Sequence, residues 1–186
     1  APIDERRDVI YHQGVFARII TECGYRAFPG NEAMAIIYAE TAREGFSGLG
    51  LSFGSGMINC ALAVSGVEGL SFSIARGGDW IDAGAASATG STSSRICALK
   101  EKGIDLLAPT GRESEALALY YKSLIEHALA GITNEFNKIK DRFALPKPIP
   151  IVVSGGTSLA GNFLPFFKQT FEAKKSKFPV EISEIR

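Results

Sequence analysis

The chain has 186 residues, 46% of them hydrophobic, enough to bury a core as one large domain or two small lobes, and it is no disordered tail. Twenty basic and twenty acidic residues cancel, which argues against nucleic acid as a major partner; the one dense basic run, Lys174-Lys175-Ser176-Lys177, reads as a solvated helix end. Cys23, Cys60, Cys97, His12 and His127 sit at no metal-ligand spacing, which speaks against a zinc site and for reduced core thiols of a cytoplasmic protein, and no apolar run approaches the roughly 20 residues that span a bilayer.

In chain order, Arg6 to Glu22 carries Val9, Ile10, Val15, Phe16, Ile19 and Ile20 near helical spacing, with Gly24 as its stop. Asn31 caps a second helix expected from Glu32 to about Arg43. Three strands follow, Ser47 to Phe53, Met57 to Ser65 and Leu70 to Ala75, joined by turns at Gly54-Ser55-Gly56 and Val67-Glu68-Gly69 into an antiparallel meander. Arg76-Gly77-Gly78-Asp79 opens a helix through Trp80, Ile81 and Ala85, and Arg95 to Lys102 reads as a short helix closed by Gly103. Glu113 to about Phe143 is a long amphipathic helix, which Pro146, Pro148 and Pro150 forbid from continuing. Ile149 to Val153 has the continuous apolar run of a buried strand. Ser154-Gly155-Gly156-Thr157-Ser158, a helix from Leu159 to about Ala173 and a strand from Phe178 to Ile185 complete the pattern.

Glycine lacks a Cβ, so a cluster of glycines at a strand turn lets backbone N–H groups converge on an anion such as phosphate. Gly54-Ser55-Gly56 reads either as such a grip or as a tight hairpin turn without a ligand. A strand, a Gly-Gly-Thr-Ser turn and a helix together present a helix N-terminus with free N–H groups, which suits a phosphate or the polar edge of a nucleotide. Trp80 either packs over a ligand or plugs its helix onto the sheet, and Phe163, Phe166, Phe167 and Phe171 form one core face of the last helix. The G-x-S-x-G order of a nucleophile elbow is absent, and His12 has no acid or serine at catalytic spacing.

With its motifs in this order, the chain resembles the C-terminal half of the actin, seventy-kilodalton heat-shock chaperone and sugar-kinase ATPase superfamily, closest in look to prokaryotic actin-like proteins. The resemblance implies an α/β fold, a ribonuclease H-like actin-type lobe whose mixed sheet carries an antiparallel β-meander flanked by helices. It also implies a helical connecting segment over 1–45 and the lobe itself over 46–186. LGLSFGSGMINCALAV is similar to the second phosphate loop, with Gly54, Ser55, Gly56 and Met57 in the turn. ARGGDWID is similar to the turn that follows it, with Gly77 and Gly78, and IVVSGGTSLAG to the adenosine loop, with Gly155, Gly156, Thr157 and Ser158. NEAMAIIYA is similar to the helix joining two lobes, which makes Glu32 the implied catalytic acid, holding the magnesium water shell or placing the attacking water.

Arg95, Lys100 and Glu101 stand where the superfamily often presents residues to the adenosine; the other reading is a solvated helix face. Two residues depart from the pattern. Ser52 replaces an acid, leaving only a hydroxyl to meet metal through water, and Met57 replaces a threonine. The implied ligand is ATP or ADP with Mg2+, and the implied function is nucleotide-controlled self-assembly or partner binding. A scaffold that keeps the fold without turnover and a small-molecule kinase are the alternatives. The first phosphate loop of such proteins lies in an N-terminal half of similar fold, so the chain, which begins without Met, is expected to be the distal part of a longer protein and inactive alone.

Overall fold

The computed structural model describes residues 10–139 and 148–186. The expected start of the first helix before Ile10, the end of the long helix beyond residue 139, and Pro146 lie outside them. Helix α1 (Ile10–Glu22) ends at Gly24, whose φ of 85° and the bond from the Tyr25 N–H to the Ile20 carbonyl form a glycine-type C-terminal cap. Its apolar spacing holds, but Val15, Phe16 and Ile19 are exposed. Helix α2 (Glu32–Glu40) starts as expected, with the Asn31 side chain accepting from the Ala33 N–H, and stops short of Arg43. Thr41 closes it by donating its hydroxyl to the Ile37 carbonyl, and a 3-10 turn over Ala42–Glu44 follows, ended by Gly45 in the left-handed region.

One five-stranded sheet forms the centre: β1 (Gly48–Phe53), β2 (Ile58–Val64), β3 (Val67–Ile74), β4 (Ile149–Ser154) and β5 (Ile182–Ile185), in the order β3-β2-β1-β4-β5. The meander β1-β2-β3 is antiparallel; β4 lies parallel to β1 and β5 parallel to β4. β1 is buried on both faces, with Leu49, Leu51 and Phe53 on one and Gly48, Gly50 and Ser52 on the other. On one face Leu49, Leu51, Phe53, Cys60, Leu62 and Phe72 meet helices α3 (Gly78–Thr89), α5 (Arg112–Asn137) and α6 (Phe163–Glu172), and α4 (Ser93–Glu101) packs beside α3. The other face is built of small residues. Gly50, Ala61 and Ala63 let α2 lie so close that a Cβ on Gly50 would come within 2.3 Å of the Ala33 carbonyl.

The mixed α/β fold and the meander are as the sequence implies, and three local expectations are corrected. The second hairpin turn is Ser65-Gly66, not Val67-Glu68-Gly69. Both residues have positive φ, 52° and 77°, the two-residue geometry whose twist matches that of the strands. Gly69 marks a bulge instead: Leu62 pairs with Leu70 and Ala63 with Glu68, which leaves Gly69 without a partner in the register. The helix expected from Leu159 is broken into a 3-10 turn, Gly156–Leu159, and α6. Gly161 is drawn aside by pairing with Asp105, its carbonyl accepting from the Leu106 N–H, and Asn162 takes the left-handed conformation before the helix restarts. The last strand begins at Ile182 rather than Phe178, whose ring packs edge-on against Phe171 at 5.2 Å. Of the expected Phe163, Phe166, Phe167 and Phe171 face, Phe163, Phe167 and Phe171 are buried and Phe166 is half-buried against the core.

Candidate functional site

The three glycine turns meet where β1 and β4 end. Gly54 donates its N–H to the Met57 carbonyl at 3.0 Å, closing the first turn. Its own carbonyl accepts from the Gly78 N–H at 3.0 Å and from the Thr157 hydroxyl at 2.9 Å, while the Ser55 carbonyl accepts from the Asp79 N–H at 2.8 Å. A Cβ on Gly77 would stand 2.4 Å from both the Gly54 and Ser55 carbonyl oxygens, and one on Gly155 would stand 2.5 Å from that of Phe53. Backbone-to-backbone packing is therefore what these glycines serve. The Gly78 N–H is spent on the neighbouring turn, so Gly77 and Gly78 shape the junction.

Gly156 and Ser55 are exposed, and no atom lies within 4 Å of where a Cβ on Gly156 would point. That side of the loop is open to a ligand. Ser158 turns inward, with its N–H and hydroxyl both donating to the Gly155 carbonyl. Thr157 is buried, and its carbonyl accepts from the Tyr121 hydroxyl at 3.2 Å; burial and the nearby charge of Asp82 push that phenol well above its ordinary range.

On the α2 face of the sheet the register lines up Ser52, Asn59, Ser73 and Ser154, because residues paired across strands share a face. The Asn59 amide donates to the Glu32 carboxylate at 3.0 Å and accepts from the Ser73 hydroxyl at 2.7 Å. Helix α2 thus delivers Glu32, exposed at its first residue, to the strand end that carries the glycine turns. Ser52 is 1% exposed inside the row. Asn59 escaped the sequence reading, although a polar residue inside an apolar strand was its signal.

Met57 is half-buried at the end of its turn. Arg95 and Lys100 on α4 go to different places. The Arg95 guanidinium pairs with Glu113 of α5 at 2.8 Å, and this holds the Glu113 carboxyl below its ordinary value. Lys100 is far from a solvated face: its side chain is 16% exposed and contacts both Asp82 oxygens at 2.7 Å. Trp80 packs edge-on against Tyr120 of α5 at 5.3 Å, a packing role with a helix as its neighbour. Among the described residues no group of three or more His, Cys, Asp or Glu is arranged to hold a metal, and no helix is long and apolar enough to cross a membrane. Cavities of about 520 and 530 Å³ lie at the opposite end of the sheet, around Arg43 and Glu44.

Asp105 clasps the segment beyond the Gly155 turn. One of its carboxylate oxygens accepts from Asn162 Nδ2 at 2.9 Å and from the Leu107 and Ala108 N–H groups, and these bonds hold its pKa below the ordinary 3.8. A carboxyl lowered in the folded state stabilises it above its ordinary pKa, and that contribution is lost as pH falls through the lower folded value. Asp105→Asn is therefore expected to flatten the acid limb of a plot of unfolding midpoint against pH below about pH 4. Superimposable acid limbs for the variant and the parent chain would show that the clasp contributes nothing.

A family model described as Volactin matches residues 1–186. No curated protein matches significantly. Among solved structures the chain is similar to the ethanolamine utilization protein EutJ from Carboxydothermus hydrogenoformans, with 18% identity and a TM-score of 0.55, over 83% of this chain and 48% of that one. It is also similar to a chain of the PilM-PilN type IV pilus biogenesis complex, with 16% identity and a TM-score of 0.56, over 82% of this chain and 40% of that one. At these identities the likeness shows the fold alone, and that fold is the actin-like ATPase fold the sequence resembles. The chain spans less than half the length of either structure.

Proposed function

The chain belongs to the volactin family, and on that premise we propose that it forms one wall of an ATP- or ADP-binding cleft in an actin-like protein whose bound nucleotide controls self-assembly or partner binding. The observation that carries the reading is the junction of Gly54, Gly78 and Thr157, which lies at the same end of the sheet as the Glu32–Asn59 pair. In it, Gly54 to Met57 approach the phosphates, Gly155 to Ser158 the adenosine side through the open face of Gly156, and Glu32 a water. Nucleotide held between this wall and a second lobe draws the two together, and that closure is what a partner reads. PilM is seen in a complex with PilN, which favours partner binding as the output.

Magnesium binds through phosphate oxygens and retained waters with one or two carboxylates, so a site with a single acid fits it. Glu32, exposed, would meet that water shell, whereas Ser52, 1% exposed, is buried away from it. When bound, the ion neutralises charge on the phosphates. Ser52 and Met57, in place of an acid and a threonine, favour a second reading, a scaffold that binds nucleotide without turnover. Hydrolysis by the full-length protein decides between them: on the first reading Glu32→Ala lowers the rate about 100-fold or more with nucleotide affinity retained. A parent protein that binds but does not turn over supports the scaffold. No heat of binding with ATP and magnesium in calorimetry would sink both.

A further inference from the structure

The Lys100–Asp82 pair joins α4 to α3 with both side chains at most 16% exposed. Desolvation offsets most of the attraction in such a pair, so it adds little net stability over an apolar contact of the same shape, and its best-attested use is to fix register. The register here is that of the glycine junction. The same ammonium donates to the Gly78 carbonyl at 3.4 Å, and Gly78 is the residue whose N–H meets the Gly54 carbonyl. A cation beside the first turn of a helix opposes the helix dipole. Asp82, four residues along α3 from Gly78, cancels that opposition, and Tyr121 closes the far side of the junction through the Thr157 carbonyl.

We infer that Lys100 and Asp82 are positioning residues: the pair holds the first turn of α3, and through it the Gly54–Met57 and Gly155–Ser158 turns, in one arrangement, with Lys100 making no contact to the ligand. This rests on reading those turns as nucleotide loops. A lysine that met the nucleotide directly would be released toward it by removal of Asp82. A positioning lysine loses its anchor by the same change, so the two roles differ in sign at Asp82→Asn.

Two measurements on the full-length protein test the inference: hydrogen exchange at the Gly78 and Asp79 amides without ligand, and calorimetric affinity for ADP and for adenosine. They are made on the parent, Asp82→Asn, Lys100→Met and the double variant. Expected are faster exchange at both amides in every variant, and ADP and adenosine weakened by one common factor, on the order of tenfold, in each single variant. The double variant is expected to bind no more weakly than either single one. Unchanged exchange, or ADP binding kept or tightened in Asp82→Asn while Lys100→Met loses it, overturns the inference. So does loss of thermal stability with affinity and exchange intact, the mark of a merely structural pair. If the parent binds neither ligand, the nucleotide reading fails, and exchange alone still decides whether the pair sets the junction. Should a lone buried charge prevent a single variant from folding, the double variant, which has none, carries both measurements.

Discussion

Gly155→Ala is expected to lower the free energy of unfolding by roughly 2–4 kcal/mol, while Gly156→Ala, one residue on, shifts it by less than about 0.5 kcal/mol. Gly155 has φ 101° and ψ 157°, a region almost confined to glycine, and an added Cβ would stand 2.5 Å from the Phe53 carbonyl oxygen and 2.6 Å from its nitrogen. Those atoms belong to a central strand and cannot give way. A Cβ on Gly156 meets nothing. Denaturant midpoints of the two variants check the contrast, and equal losses would mean that the turn does not rest on β1. The pair also separates stability from binding, because a methyl on the open face of Gly156 stands where the proposed adenosine approaches and so weakens nucleotide binding in a chain that is otherwise sound.

Phe53→Ala is expected to cost about 3–5 kcal/mol. Its side chain is 0% exposed and meets Phe163 and Phe167 edge-on at 5.3 and 6.1 Å, so truncation opens a cavity between β1 and α6 that neighbouring rigid rings cannot fill. Phe53 is also the last residue of β1 before the glycine turn. Loosening it is expected to lower stability and the order of the turn together, visible as a lower unfolding midpoint and faster amide exchange at Gly54. A loss below about 1 kcal/mol would show that the aromatic cluster is not closely packed.

The strands and helices were legible because their periodicity is strong, and Gly24 and Asn31 mark real ends whose chemistry is local, whereas the end of α2 at Thr41 was expected near Arg43. The hairpin at Ser65-Gly66 was misread because Val67-Glu68-Gly69 carries a glycine of its own, which the fold spends on a bulge. The break before α6 is invisible locally: Gly161 leaves the helix to pair with Asp105, a residue from another part of the chain. Lys100 was the most misleading residue, since its helix looks solvated in sequence and only the packing of α4 on α3 puts Asp82 beside it. The counterpart signal was Asp82 itself, a lone acid on the buried stripe of Ile81 and Ala85.

By itself the sequence determined the order of elements and the glycine turns, because a missing Cβ and an apolar period act through near neighbours. Their order is what resembles the superfamily; the period alone supports a mixed α/β domain. What the tertiary structure decided is which backbone groups remain for a ligand. The Gly78 N–H faces Gly54, and the Thr157 hydroxyl bonds a carbonyl 103 residues away, so these donors tie the turns to one another, while Gly156 keeps an open face. Donor and acceptor choose each other only when distant strands are brought into register, and no local rule of spacing carries that information.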